Sequence, residues 1–464
     1  MKLNDTIAAI ATPRGAGGIA IIRISGADAE RIAENMVSAY SGKKVTELES
    51  HKLTLCKITA YDNSDFMIDE ALVAIMRAPR SYTGENVVEI NCHGGFLAAD
   101  RILKGLLSCG ARLAEAGEFT RRAFINGKTD LSGAEAVIDL MEATTDSGLH
   151  NAAISIAGAL AQKMSGLREA VLKIAANVSA AADYPDEVDM PEDEELLATI
   201  AKIREDVEGL LNTFDAGRIM RDGVRTVIVG RPNVGKSSIL NALLKEDRAI
   251  VTDVPGTTRD TIEEVISIGG MALKLTDTAG IRDAGDEVEK IGIEKSMENI
   301  KTADLCLLVL DSSEEITEDD IRIAKALNGK TVIAILNKSD KEAAFEESVI
   351  EKRLGLSCAV IKTATPKAAD SFGIDKLEAL ISDMFVGGSL NPNEVYLSNE
   401  RQRDSLLKAK DALSHAEDGI RCNMPSDLLF VDLEDALSAF GEITGETVQE
   451  EIVDSVFERF CVGK

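Results

Sequence analysis

Between residues 230 and 237 the chain reads Gly230-Arg-Pro-Asn-Val-Gly-Lys-Ser237, a spacing that joins a strand before it to a helix after it through a glycine-bearing loop. The apolar run Val224 to Val229 supplies the strand and Ser238 to Leu244 an amphipathic helix, so the segment predicts a Ras-like α/β unit with a mostly parallel sheet covered by helices. Such a loop cradles phosphate. Its N–H groups and the helix N-terminus meet the anion, Lys236 reaches the β/γ oxygens, and the Ser237 hydroxyl suits Mg²⁺. More than two hundred residues lie on either side of it, which makes the nucleotide site a device serving its flanks.

Those flanks differ in pattern. Residues 1 to 118 mix β-branched runs (Ile19 to Ile24, Lys52 to Ile58, Glu70 to Met76, Val87 to Asn91) with glycine turns and a helical stretch from Ala98 to Leu107, predicting an α+β domain. From 119 to 220 apolar residues recur at three to four spacing, as in Ala134, Val137, Ile138 and Met141, and the same pattern returns from 385 to 464 with Leu406, Leu407, Ala409 and Leu413. Each helical half alone would expose an apolar face, so one discontinuous helical bundle is expected, with the nucleotide domain at 221–384 inserted into it. The acidic stretch Asp183 to Glu194 reads as a solvated connection between helices.

A formal charge of −28 over 464 residues repels polyanions over most of the surface, so an RNA partner needs a local basic patch. Candidates are Arg121, Arg122 and Lys128, or Arg218, Arg221 and Arg225. No apolar run reaches the ~18 residues of a membrane span, and the N-terminal segment has no signal-like core, so a cytoplasmic protein without a membrane partner is expected. Seven scattered cysteines without metal spacing fit reduced thiols.

Downstream of the loop come Asp277-Thr-Ala-Gly280 and Asn337-Lys-Ser-Asp340, each after a predicted strand, at Ala272 to Thr276 and Thr331 to Leu336. A carboxylate at Asp340 accepts from guanine N1–H and N2–H₂, which adenine lacks, while Asn337 and Lys338 hold the base and the loop; the nucleotide is expected to be GTP. Asp277 can hold Mg²⁺ through water and Gly280 can offer its N–H to the γ-phosphate. The Thr258 hydroxyl of Gly256-Thr-Thr-Arg-Asp260 can complete the metal shell, and Lys362-Thr-Ala364 is a further base-contacting candidate.

Ile281 follows Gly280, where Ras-type enzymes carry a water-orienting glutamine. Hydrolysis here needs another arrangement. Asp283, Asp286, Glu287 and Glu289 are candidates to orient the water, and Arg259, Arg282 or a monovalent cation could supply positive charge.

The segments GRPNVGKSS, GTTRD, DTAGIR and NKSD, the N-terminal DTIAAIATPRGAGGIAIIRISG, SYTGENVVEINCHGG and GEFTRRAFINGKTDLSGAEAV, and the final Phe460-Cys461-Val-Gly-Lys464 resemble the MnmE (TrmE) family of tRNA-modification GTPases over the whole chain. The resemblance implies a K⁺-stimulated GTPase of the TrmE-Era-EngA-like class that dimerises across its nucleotide face. Nucleotide and ion contacts would fall on Asn233, Val234, Gly235, Lys236, Ser237 and Ser238, on Thr252, Asp253, Val254, Pro255, Gly256, Thr257 and Thr258, and on Asp277, Thr278, Ala279, Gly280, Asn337, Lys338 and Asp340. Within that set Asn233 would ligate K⁺ with the carbonyls of Thr252, Val254 and Thr257, and the catalytic glutamate would be Glu289.

The resemblance further implies an N-terminal domain that binds 5-formyl-tetrahydrofolate and forms a homodimer, with Arg23, Glu89, Lys128 and Lys464 at the folate. A carboxylate such as Glu89 suits the donor edge of a pterin, and cations suit its anionic tail. Read alone, Arg23 is a strand-end charge, Glu89 an outward strand residue and Lys128 a helix-capping cation. Cys461 would lie near the modification chemistry. A flavin- and NADH-using MnmG-type partner, forming a heterotetramer, would join in adding an aminomethyl or carboxymethylaminomethyl group to C5 of the tRNA wobble uridine. A ribosome-assembly GTPase shares GRPNVGKS and GTTRD but ordinarily has a basic appendage, in contrast to the acidic helical segments here. A folate-binding scaffold whose GTPase only regulates assembly is the third reading.

Overall fold

The computed structural model describes residues 5–13, 15–184, 186–187, 191–244, 264–268, 271–276, 299–364, 372–386 and 394–464. The chain forms two compact units, one of residues 1–141, 154–207 and 404–464, the other of residues 142–153 and 208–403.

In the first unit seven strands, β1 (Ile7–Ile10), β2 (Ile19–Ser25), β3 (Val37–Ala39), β4 (Thr54–Ala60), β5 (Asn63–Met76), β6 (Val87–His93) and β7 (Arg112–Leu113), form one sheet. Its order is β3-β4-β5-β6-β2-β1-β7, antiparallel except where β7 pairs with β1. Period-two alternation sends Ala20, Ile22 and Ile24 of β2 and Val88, Ile90 and Cys92 of β6 into the core, where they meet the helix Phe96–Ser108 through Ala99, Ile102 and Leu106. Arg23 and Glu89 therefore stand on the opposite face. The predicted strand at 70–76 is the second half of the longer β5, which pairs with β4 from Asn63 to Val73.

The helices Ala159–Asp183 and Ser426–Thr444 pack together although the second sheet separates them in sequence. This is the expected discontinuous bundle. Helix Ala159–Asp183 ends and Asp193–Asn212 begins at the two edges of the acidic stretch.

The second unit holds β8 (Val224–Val229), β9 (Glu264–Ile268), β10 (Met271–Thr276), β11 (Leu305–Asp311), β12 (Val332–Asn337) and β13 (Ala359–Lys362). They form a sheet in the order β13-β12-β11-β8-β10-β9, parallel except for the edge strand β9. Strands β11 and β12 are buried along their whole length, as a sheet covered on both faces requires. Apolar clusters lie on each side, one including Ile239, Leu243 and Leu377, the other Ala324, Leu327 and Ile350.

Candidate functional site

The glycine-bearing loop leaves β8 and enters the helix Lys236–Leu244. Two of its glycines are required by close approach. A Cβ on Gly230, at φ +151°, would lie 2.3 Å from the Val309 carbonyl oxygen, and one on Gly235, at φ +102°, would lie 2.0 Å from Asn337 Nδ2. Asn337 uses that clearance to donate to the Val234 carbonyl at 2.9 Å, which ties the base-side loop to the phosphate loop. Asn233 has the left-handed φ of +61° that asparagine tolerates, and it is exposed. The Lys236 ammonium donates to the Gly230 and Arg231 carbonyls at 2.7 Å each, so it lies folded over the loop.

The carboxyl ends of β12 and β13 bring the base-side residues together. Ser339 N–H donates to the Thr363 carbonyl at 3.0 Å, and the buried Thr363 hydroxyl donates to Asn337 Oδ1 at 3.3 Å. The segment Lys362-Thr-Ala364 thus adjoins Asn337-Lys-Ser-Asp340, as the sequence suggested. Asp340 is exposed and Lys338 half-buried. Arg231 is anchored by Asp320, at 2.8 Å, and by Glu314. Thr252, Asp253, Val254, Pro255, Gly256, Thr257, Thr258, Asp277, Thr278, Ala279, Gly280 and Glu289 lie outside the described residues, as do Arg259, Arg282, Asp283, Asp286 and Glu287.

On the open face of the first sheet, Arg23 and Glu89 are direct cross-strand partners, and Arg23 Nε donates to Glu89 Oε1 at 2.8 Å. The Arg23 guanidinium lies over the rings of Tyr82 and Phe119, at 5.4 and 5.6 Å from their centroids. Lys128 donates to the Pro79 carbonyl at 3.1 Å, and the Phe119 N–H donates to the Lys464 main-chain oxygen at 3.2 Å. Each of the four named residues therefore touches the loop 79–85, the helix Glu118–Ile125, or a side chain that does. Tyr82 and Phe119 were missed in the sequence, although both lie in segments that carry the family resemblance.

A second omission is the ion network beneath this helix. Arg122, 2% exposed, donates to Asp5, Glu85 and Glu118, and Arg112 donates to Asp5 and Glu118. Burial is the strongest single influence on Glu118 and opposes its charge, yet Arg112, the Glu115 N–H and Arg122 together hold its carboxyl below the usual range. Asp5 is lowered mainly by its hydrogen bond to Arg112. Sequence spacing places Glu118 and Arg122 one helical turn apart, but Asp5 and Arg112 arrive only through the sheet.

In the two candidate basic patches Arg121, Arg122, Arg218 and Arg221 are ion-paired, whereas among the described residues Lys128 meets only a carbonyl and Arg225 is exposed. Arg121 pairs with Asp454 and Arg122 with the network, while Arg218 pairs with Asp304 and Arg221 with Asp222. Cys461 is exposed, and the following Gly463 packs against the Ile10 carbonyl; a Cβ there would lie 2.4 Å from it. Burial raises the thiols of Cys56, Cys92 and Cys306 to about 11, which makes them inert apolar groups. Among the described residues no group of His, Cys, Asp and Glu forms a metal cluster, and no helix is long and apolar enough to cross a membrane.

Family models for the GTP-binding protein TrmE N-terminus and the MnmE helical domain match residues 6–128 and 131–461. The chain is similar to the curated tRNA modification GTPase MnmE of Clostridioides difficile (strain 630), 46% identical over 466 residues and covering 100% of each. It is 46% identical over 466 residues to that of Geobacillus thermodenitrificans (strain NG80-2), covering 99% of each. Against that of Bacillus subtilis (strain 168) the identity is 43% over 463 residues, covering 99% of this chain and 100% of the relative.

Proposed function

Because the chain belongs to the tRNA modification GTPase MnmE family, we propose that it hydrolyses GTP in the modification of the tRNA wobble uridine. The observation that carries the reading is the meeting of three separate motifs at the strand ends: Asn337 bonds the phosphate loop at Val234 and is itself bonded by Thr363. The cradle fits a nucleotide. Gly230 and Gly235 permit the close backbone approaches that shape the loop, Lys236 lies over the loop where phosphate oxygens could replace its carbonyl partners, and Asp340 offers an exposed acceptor to a guanine edge.

Ser237, half-buried at the helix start, fits Mg²⁺ with Thr258, and Asn233 fits K⁺ with the carbonyls of Thr252, Val254 and Thr257. These ions would supply positive charge where the phosphates develop negative charge. Glu289 is proposed to orient the hydrolytic water. In the first unit Arg23, Glu89, Lys128 and Lys464 would hold 5-formyl-tetrahydrofolate, which supplies the one-carbon unit when bound. Arg23 suits this task because Glu89 and two aromatic rings already fix it. Cys461 is exposed and is proposed to act near that chemistry.

The exposed cross-strand pair Leu55 and Leu72, with Ile19 on the same open face, supports a homodimer through this domain. The domain limits proposed are 1–118, 119–220, 221–384 and 385–464, in a cytoplasmic protein that works with tRNA and an MnmG-type flavin- and NADH-dependent subunit. Mass spectrometry of tRNA nucleosides from cells lacking this chain tests the function, and unaltered wobble uridines would overturn it. GTP turnover should rise steeply when K⁺ replaces Na⁺; equal rates would remove the cation from the scheme.

A further inference from the structure

Asp311 is the last residue of β11 and lies opposite Asn337, the last residue of β12, so its carboxylate stands beside the residue that follows, Lys338. Asp311 is 3% exposed, and its Oδ2 accepts from the Lys338 ammonium at 2.5 Å. Its Oδ1 accepts from the Ser313 N–H at 3.0 Å and from the Ser313 hydroxyl at 2.7 Å. Lys338 itself has a left-handed φ of +59°, a conformation that persists only where the surroundings over-determine it. The Ser312 N–H adds a bond to the Asn337 carbonyl at 3.0 Å.

We propose that Asp311 is a positioning residue for guanine recognition: its buried carboxylate pins the Lys338 ammonium and so presets the base-side loop before nucleotide binds. This rests on the reading of Asn337-Lys-Ser-Asp340 as the guanine loop. A lysine stem has several free rotors, and an ammonium left loose in this half-buried place would have to be ordered by the ligand at the moment of binding. The Asp311 contact moves that ordering into folding. It also neutralises the cation locally, so that Lys338 offers the base an apolar stem and no net charge. Burial opposes the charge of Asp311, but Lys338 and Ser313 together hold its carboxyl below the ordinary range, so the carboxylate stays ionised at neutral pH.

The test is a titration of the full chain with fluorescent GDP, alongside GTP turnover, in the wild type and in Asp311→Asn, Lys338→Met and the double variant. Loss of one charge-assisted bond predicts a Kd raised about tenfold in Asp311→Asn, with KM rising more than kcat falls. In the Lys338→Met background, where no ammonium remains to be pinned, Asp311→Asn should add nothing. Wild-type affinity in Asp311→Asn, or additive losses in the double variant, would overturn the proposal. If Asp311→Asn alone does not fold, the double variant, which leaves no charge unpaired, carries the same comparison against Lys338→Met. A wild type that binds adenine and guanine nucleotides alike would instead fault the guanine reading itself.

Discussion

In the six-stranded sheet the candidate residues cluster where neighbouring parallel strands end, with Asn337 closing β12, Thr363 just past β13 and the phosphate loop just past β8. In the seven-stranded sheet Arg23 and Glu89 stand mid-strand on an open face, and their companions come from a loop, a helix and residue Lys464. Parallel strands deliver all their carboxyl ends to one edge, so a site there is built from short contiguous loops. An antiparallel sheet offers its face, and a site there takes single residues from many strands. The difference predicts where each region breaks: the first at its backbone approaches, the second at the side chains that brace it.

The largest effect is expected in the brace. Removing Glu118 leaves Arg112 and the buried Arg122 short of a partner, and breaking such a pair costs about 3–5 kcal/mol. Glu118→Ala should lower the unfolding free energy of the first unit by that amount in urea. The same network carries a pH signature. Asp5 and Glu118 have folded-state values below the ordinary carboxylate range, so their contribution is complete above about pH 5 and fades as pH falls below about 4. Glu118→Gln should flatten that acid limb, and an unchanged acid profile would show that the network does not brace the sheet.

At the strand ends a single methyl group should suffice. Gly235→Ala sets a Cβ against Asn337 Nδ2 at 2.0 Å and forces either the loop or the asparagine to move. Displacements of that size cost about 10²-fold in a positioned site. Fluorescent-GDP affinity should fall by that factor while the second unit, whose core is built mainly from strand and helix residues beyond the loop, still unfolds as one cooperative transition in urea. Retained affinity would mean that the Asn337 tie does not shape the nucleotide site.

Legibility in the sequence follows the same divide. The strand Val224–Val229 is found as predicted, and the loop, the base-side motif and Lys362-Thr-Ala364 could be read directly because each is contiguous and its spacing encodes its geometry. Arg23 and Glu89 looked like an ordinary strand-end charge and an outward residue, since nothing local tells which strand lies opposite; only the family resemblance singled them out. Asp311 was missed for a similar reason. It ends an apolar strand, and its partner Lys338 becomes its neighbour only through the register of β11 with β12. Short strands such as β3 and β7 were also missed, being too brief for alternation to register.

The smallest effect, and the one that separates holding a ligand from holding the fold, is at Arg23. Its pair with Glu89 is partly exposed, so screening limits its worth to stability to about 1 kcal/mol or less. The stacking over Tyr82 and Phe119 fixes the guanidinium plane, which a lysine ammonium could not reproduce. Arg23→Lys should therefore unfold within about 1 kcal/mol of the wild type yet bind a reduced folate about tenfold more weakly, since the planar fork that meets a carboxylate is lost. Calorimetric titration with 5-formyl-tetrahydrofolate reads the second quantity and urea unfolding the first. If affinity and stability fell together, Arg23 would be one more strut of the sheet, and the open face would lose its claim to a site. If affinity alone fell, the face of an antiparallel sheet would be shown to work through a single preset side chain, where the parallel sheet relies on its loops.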